Sequence, residues 1–195
     1  MTLRFVLGLL LSFTAFAQAD LPYEPMTSAE RWKKYTKDNF TGPGVYLSAF
    51  GPPIRSHLNN EPTEWEKGFP GYMHHVAYSY TRSLIDSSIR HSTAAALGHD
   101  VRYERSNKKG VLPRVGHALS RTFVTRNSEG RLVPYVSNFM GSYGGAMLGT
   151  YMLSDRHEPL NYGVQRGHIR LAGKSFGNLF REFSPEIKRL FRIKR

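Results

Sequence analysis

Val136–Leu153 (VSNFMGSYGGAMLGTYML) runs for eighteen residues without a charged side chain, and its glycines recur every four positions, at Gly141, Gly145 and Gly149. That spacing puts a shallow groove along one face of a helix, into which a second helix can press closely. In water, interior glycines disfavour a helix by roughly 1 kcal/mol each relative to alanine. Close contacts on the groove must offset that. Three readings stay open: the central helix of a tightly packed bundle, a segment in or against a bilayer, or a β segment. Eighteen residues is near the lower limit for a span, and Asn138, Ser142, Thr150 and the tyrosines dilute its hydropathy.

The flanking sequence is mostly helical in pattern. Thr27-Ser-Ala-Glu30 is a capping box, so a short helix with Trp32 and Tyr35 on one side should run to about Asn39. Val45–Phe50 is apolar but is followed by Pro52-Pro53, which argues against a clean helix there. Asn59–Gly71 reads as a loop. Tyr72–Leu97 is expected as the first long helix, with Arg82, Asp86 and Arg90 at i, i+4 and i+8 suited to two ion pairs along one face, and Gly98 as its C-cap. Val115–Val124 is ambiguous between helix and strand. Asn127–Gly130 has turn chemistry between two β-prone triplets, which suggests a short β-hairpin within 122–136. Tyr162–Phe183 predicts an amphipathic helix striped by Phe176, Leu179, Phe180 and Phe183. Gly173 and Gly177 repeat the small-residue spacing, as do Gly163 and Gly167. Ser184-Pro185 would cap and start a basic C-terminal helix over 185–195. The expected fold class is mainly α: a compact bundle with glycine-striped helices and that one hairpin.

Residues 1–19 carry Arg4, an apolar core from Phe5 to Phe16, and Ala17-Gln-Ala19, the pattern of a secretory signal peptide. The expected organisation is a signal at 1–19 followed by one helical domain over 20–195. Losing Arg4 takes the net charge from +12 to about +11. With 40% hydrophobic and 13% aromatic residues the chain is not a disordered tail. It has no cysteine, which excludes disulfides, thiolate zinc sites and a thiol nucleophile. An exported basic protein is expected to meet anionic lipid or lipopolysaccharide in the periplasm or at the outer membrane, rather than nucleic acid.

Three groups of residues could carry function. Lys188, Arg189, Arg192, Lys194 and Arg195 give the last helix a basic face suited to an anionic membrane surface. Arg102, Arg105, Lys108, Lys109, Arg114 and Arg121 could grip phosphate. Beside them, His99, Asp100 and His117 are weak catalytic candidates, as a proton carrier and its orienting acid. No metal-ligand spacing, nucleotide loop or nucleophile elbow is present, so neither metal nor cofactor is expected. The favoured reading is a non-enzymatic envelope protein that associates with anionic lipid or glycolipid and packs, or pairs with a second copy, through its glycine stripes. The alternative is a small enzyme acting on a phosphorylated or lipidic substrate.

Ala95–Ser106 (AALGHDVRYERS), Gly116-His-Ala118, Thr122–Arg126 (TFVTR) and Asn178–Arg189 (NLFREFSPEIKR) resemble a group of uncharacterised exported proteins from soil bacteria. The resemblance spans about Glu64 to Arg189. It implies a shared fold and brings no known activity with it.

Overall fold

The computed structural model describes residues 23–59, 67–151 and 159–192. The candidate signal at 1–19, Met152-Leu153, and the cations Lys194 and Arg195 lie outside the described residues. In chain order the elements are α1 (Ser28–Thr36), a π-helical turn (Lys37–Thr41), α2 (Pro43–Leu58), α3 (Gly68–Ala96) and α4 (Val111–Ser120). Then come β1 (Val124–Arg126), β2 (Leu132–Pro134), α5 (Val136–Phe139), a second π-helical turn (Met140–Gly144), α6 (Gly145–Tyr151) and α7 (Pro159–Arg192). The fold is mainly helical, with one two-stranded antiparallel hairpin.

Local chemistry accounts for the element ends. The Thr27 hydroxyl accepts from Glu30 N at 3.2 Å while the Glu30 carboxylate accepts from Thr27 N at 2.9 Å, the reciprocal capping box. Gly98, at φ +66°, turns the chain off α3. The His99 amide then donates to Ala94 O at 2.8 Å, and the Gly98 amide to Ala95 O at 3.4 Å, which satisfies two otherwise orphaned carbonyls. In the hairpin, Thr125 faces Val133. The Asn127 side chain accepts from the amides of Glu129 and Arg131, and Gly130 takes the left-handed corner at φ +79°.

The decisive packing is between two four-residue repeats. Arg82, Asp86 and Arg90 form one stripe on α3, and Gly141, Gly145 and Gly149 lie on it in antiparallel order. A methyl at Gly145 would sit 2.7 Å from Asp86 Cα, and one at Gly141 would sit 2.7 Å from Asp86 O. At Gly149 it would sit 2.7 Å from Arg82 Nε. Asp86 therefore faces α7 rather than Arg82 or Arg90, and the ion pairs expected along α3 are replaced by pairs across the bundle. On its other side the glycine segment meets α7, where Gly163 admits Met147 and Gly167 admits Tyr143. Gly173 and Gly177, expected to pack in the same way, do not: a methyl on either would meet nothing within 4 Å. They lie on the side of α7 turned away from the glycine segment.

Other expectations are revised. Among the described residues no helix is long and apolar enough to cross a membrane; the 136–151 segment is two short helices joined by a π-helical turn. Val111–Ser120 is helical. α2 runs through Pro52 and Pro53, held against α3 despite the missing amides. α7 is continuous through Pro185, where a new helix was expected. Proline removes the donor for the carbonyl four residues back, Arg181 O. The Ser184 hydroxyl and Arg105 Nε donate to it instead, at 3.1 and 3.2 Å.

Two glycines of similar sequence context should respond oppositely to alanine. Gly145→Ala must displace α3 backbone and is expected to destabilise by about 1–3 kcal/mol. Gly173→Ala gains helix propensity in open space and is expected to stabilise by about 0.5–1 kcal/mol. Urea denaturation followed by circular dichroism measures both.

Candidate functional site

The interior of this protein is polar. Among the described residues few large apolar side chains are buried, and Met26 and Val101 make one small cluster with Ala94. In their place, carboxylates and cations are matched inside the bundle. Asp86 receives Arg170 Nη1 at 2.9 Å and Lys174 Nζ at 3.0 Å, both from α7. Lys174 also donates to the Ser142 hydroxyl at 2.8 Å. Burial lowers the Lys174 ammonium to about 8, against the raising pull of Asp86. Arg82 completes the layer through Tyr78, which passes the contact to Gly149 O. Its Nε is buried without a partner, in the space that Gly149 leaves open.

A second cluster fastens α4 and the 101–110 loop to α7. Glu182 has no exposed surface. It accepts from Tyr103 at 2.9 Å, from Ser106 N at 3.1 Å and from Arg114 Nε at 2.8 Å. Burial pushes its carboxyl up, but these donors, Arg114 above all, outweigh burial and hold it below the usual glutamate value. Arg114 also reaches Glu186 at 2.6 Å and lies over the Phe183 ring. A third cluster sets Asp38 against Lys34, Arg90 and His91, tying the turn after α1 to α3.

The residues singled out in the sequence fall mostly within such clusters. The Asp100 carboxylate is taken by Tyr23 at 3.0 Å and by Arg102 at 2.6 Å. Arg105 donates to Ser184 as well as to Arg181 O, and Arg121 pairs with Glu104. With Arg114, four of the six cations expected to grip phosphate are held by groups of the protein itself. Lys108 is half-buried and Lys109 exposed. His99 Nδ1 lies 2.9 Å from the Ser137 hydroxyl, while His117 Nε2 lies 3.0 Å from Glu104 O, so the two imidazoles answer to different partners. Burial, then Arg31, lowers His99.

Two pairs have the atoms of an activated nucleophile, which the sequence reading missed: Ser137 with His99, and Ser142 with Lys174. Ser137 and Ser142 have no exposed surface. A substrate carbonyl cannot reach either hydroxyl in this structure, and both pairs act as internal hydrogen bonds. Nothing in the local sequence marks them, because each joins residues more than thirty positions apart.

The large apolar side chains lie outside instead. The contrast is sharpest on α7. Its inward face carries Gly163, Gly167, Leu171, Lys174, Asn178 and Glu182. Its outward face carries Ile169, Phe176 and Phe180, which are 56%, 71% and 63% exposed, with Leu190 further along. The cations Lys188 and Arg189 are exposed near the end of the helix; Arg192 is the last helical residue described.

Removing the charge at the centre should be costly. Asp86→Asn leaves two enclosed cations unmatched, and a loss of about 3 kcal/mol or more in unfolding free energy is expected by chemical denaturation. Lys174 supplies a pH signature. Its folded value is lowered, so the folded state releases this proton before the unfolded chain does. The stability of the native protein relative to Lys174→Met should therefore rise as pH increases from about 8 towards the usual lysine value near 10.4. Paired denaturation curves across that range check the slope.

No family model matches this chain, and no curated protein or solved structure matches it either.

Proposed function

We propose that this protein is a non-enzymatic component of the bacterial cell envelope. Exported by the segment at 1–19, it lies against an anionic lipid or glycolipid surface in the periplasm or at the outer membrane. The observation that carries this reading is the inverted α7. A helix that turns Gly163, Gly167, Lys174 and Glu182 inward and Phe176 and Phe180 outward calls for an apolar surface to cover those rings. A net charge of +12, about +11 once Arg4 leaves with the export segment, makes an anionic surface the natural match. Lys188 and Arg189 are exposed near the end of the same helix, where lipid head groups can meet them while Phe176 and Phe180 enter the head-group boundary. The internally paired cations Arg102, Arg105, Arg114 and Arg121 are structural in this reading.

Co-sedimentation with vesicles tests it. Binding should be strong on vesicles containing phosphatidylglycerol, weak on phosphatidylcholine alone, and reduced by salt. Each surface cation contributes about 1 kcal/mol, so Lys188→Gln with Arg189→Gln should lower the partition coefficient roughly 30-fold. Phe176→Ser with Phe180→Ser should also release the protein while leaving its thermal midpoint nearly unchanged, because both rings are outside the fold. Binding that survives both pairs of changes sinks the proposal. So does an oligomer in vesicle-free buffer that the serine pair dissociates, since a second copy would then be what covers the face.

A further inference from the structure

α4 runs antiparallel beside the 175–186 stretch of α7. At its start, Arg114 reaches Glu182 at 2.8 Å and Glu186 at 2.6 Å. Just past its end, Thr122 receives the Ser175 hydroxyl at 3.0 Å and the Asn178 amide at 3.2 Å. One side of this seam is closed by the loop that precedes α4. His117 Nε2 lies 3.0 Å from Glu104 O, and Arg121 pairs with the Glu104 carboxylate. From the same loop, Tyr103 and Ser106 reach Glu182. The other side is open, and it is apolar on both helices. Turning around α4 from His117, past the α7-facing line of Arg114, Ala118 and Thr122, leads to Leu112, Val115 and Leu119. Leu112 is 82% exposed, Leu119 39%, and Val115 is half-buried. On the matching side of α7, the Arg114 guanidinium lies 4.5 Å from the centre of the half-buried Phe183 ring. Phe180 and Phe176 precede Phe183 by three and seven positions and so continue its row.

Charge says what covers this face. Lys108 and the exposed Lys109 lead into α4 at the end where α7 carries Lys188 and Arg189. Contacts from Arg105 to Ser184 and from Ser106 to Glu182 bring the two segments together. Residues 105–120 contain no acid, and residues 181–192 contain only Glu182 and Glu186, both already taken by Arg114. Among the described residues of these two segments, the charge left exposed is therefore cationic. Apolar rows that end in cations match an anionic bilayer surface, where long basic side chains reach the phosphates while the rows enter below them. We infer that α4 is a second membrane-entering element: Leu112, Val115 and Leu119 dip into the head-group boundary together with Phe176, Phe180 and Phe183, and anionic phospholipid gathers at the shared cationic end. The inference rests on the reading of α7 above and widens it from one helix to a two-helix face.

The chain has no cysteine, so single cysteines carrying a nitroxide report one position each. Leu112→Cys, Leu119→Cys and Phe180→Cys place labels on the face, and Glu129→Cys places one in the exposed hairpin turn as a reference. Electron paramagnetic resonance then measures collisions with oxygen, which concentrates among acyl chains, and with a water-soluble nickel chelate. On addition of phosphatidylglycerol vesicles, labels at 112, 119 and 180 should gain oxygen collisions and lose nickel collisions, while the label at 129 stays in water. In co-sedimentation, Lys109→Gln, which lies outside both helices, should weaken binding about fivefold, the contribution of one surface cation. Burial at 180 with 112 and 119 left in water overturns the inference and leaves the reading of α7 standing. A label at 180 that stays in water overturns both. Loss of nickel collisions at 112 and 119 in vesicle-free buffer also overturns the inference, because a second copy of the chain then covers the face.

Discussion

Asp86 is the point at which three helices are held in register. Its backbone lies under Gly141 and Gly145, at distances that exclude even a methyl group. Its carboxylate projects past them to Arg170 and Lys174 on α7. Glycines and a charge thus serve one purpose. Without the glycines, α3 and the 136–151 segment could not approach closely enough for an aspartate side chain to span the layer. Without the aspartate, two cations would be enclosed with no counter-charge, at a desolvation cost that packing alone would not offset.

The same arrangement explains why the exterior is apolar. Matched ions and hydroxyls occupy much of the inward faces of α3 and α7 beside Val76 and Leu171, and Ile169, Phe176, Phe180 and Leu190 of α7 lie outside. The amide missing at Pro185 is absorbed within this scheme. Arg105, drawn from the 101–110 loop, donates to the carbonyl that the proline orphans and so ties the loop to the helix at its weakest point. α7 can then present one uninterrupted face from Ile169 to Leu190.

Much of the element plan was legible in the sequence. The capping box at Thr27, the left-handed glycine at 98, the hairpin turn at Asn127 and the close approach at Gly141, Gly145 and Gly149 all follow from local chemistry. What escaped was partnership. Arg82, Asp86 and Arg90 have the spacing for pairs within one helix, and only the tertiary arrangement shows that glycine grooves pull Asp86 towards α7. Gly173 and Gly177 share the spacing of Gly163 and Gly167 but face outward, a difference set by which side of α7 meets the bundle. For the same reason Arg102, Arg105, Arg114 and Arg121 read as a phosphate grip. Asp100 and Glu104, which pair with Arg102 and Arg121, lie in the same stretch and were legible as local partners, whereas Arg114 meets Glu182 and Glu186, and Arg105 meets Ser184 and Arg181 O, only after folding. The prolines at 52, 53 and 185 signal helix ends by propensity, and packing overrides them.

An interior built from ion pairs and hydroxyls also shapes how the protein meets changes in temperature. The heat-capacity increment of unfolding comes from newly hydrated apolar surface and is offset by newly hydrated polar surface. Among the described residues the fully enclosed groups include many polar ones, such as Glu182, Thr122, Ser137 and Ser142. The increment should be small for a chain of this length and the curve of free energy against temperature correspondingly shallow. Cooling, which weakens proteins that depend on apolar cores, would then cost this one comparatively little.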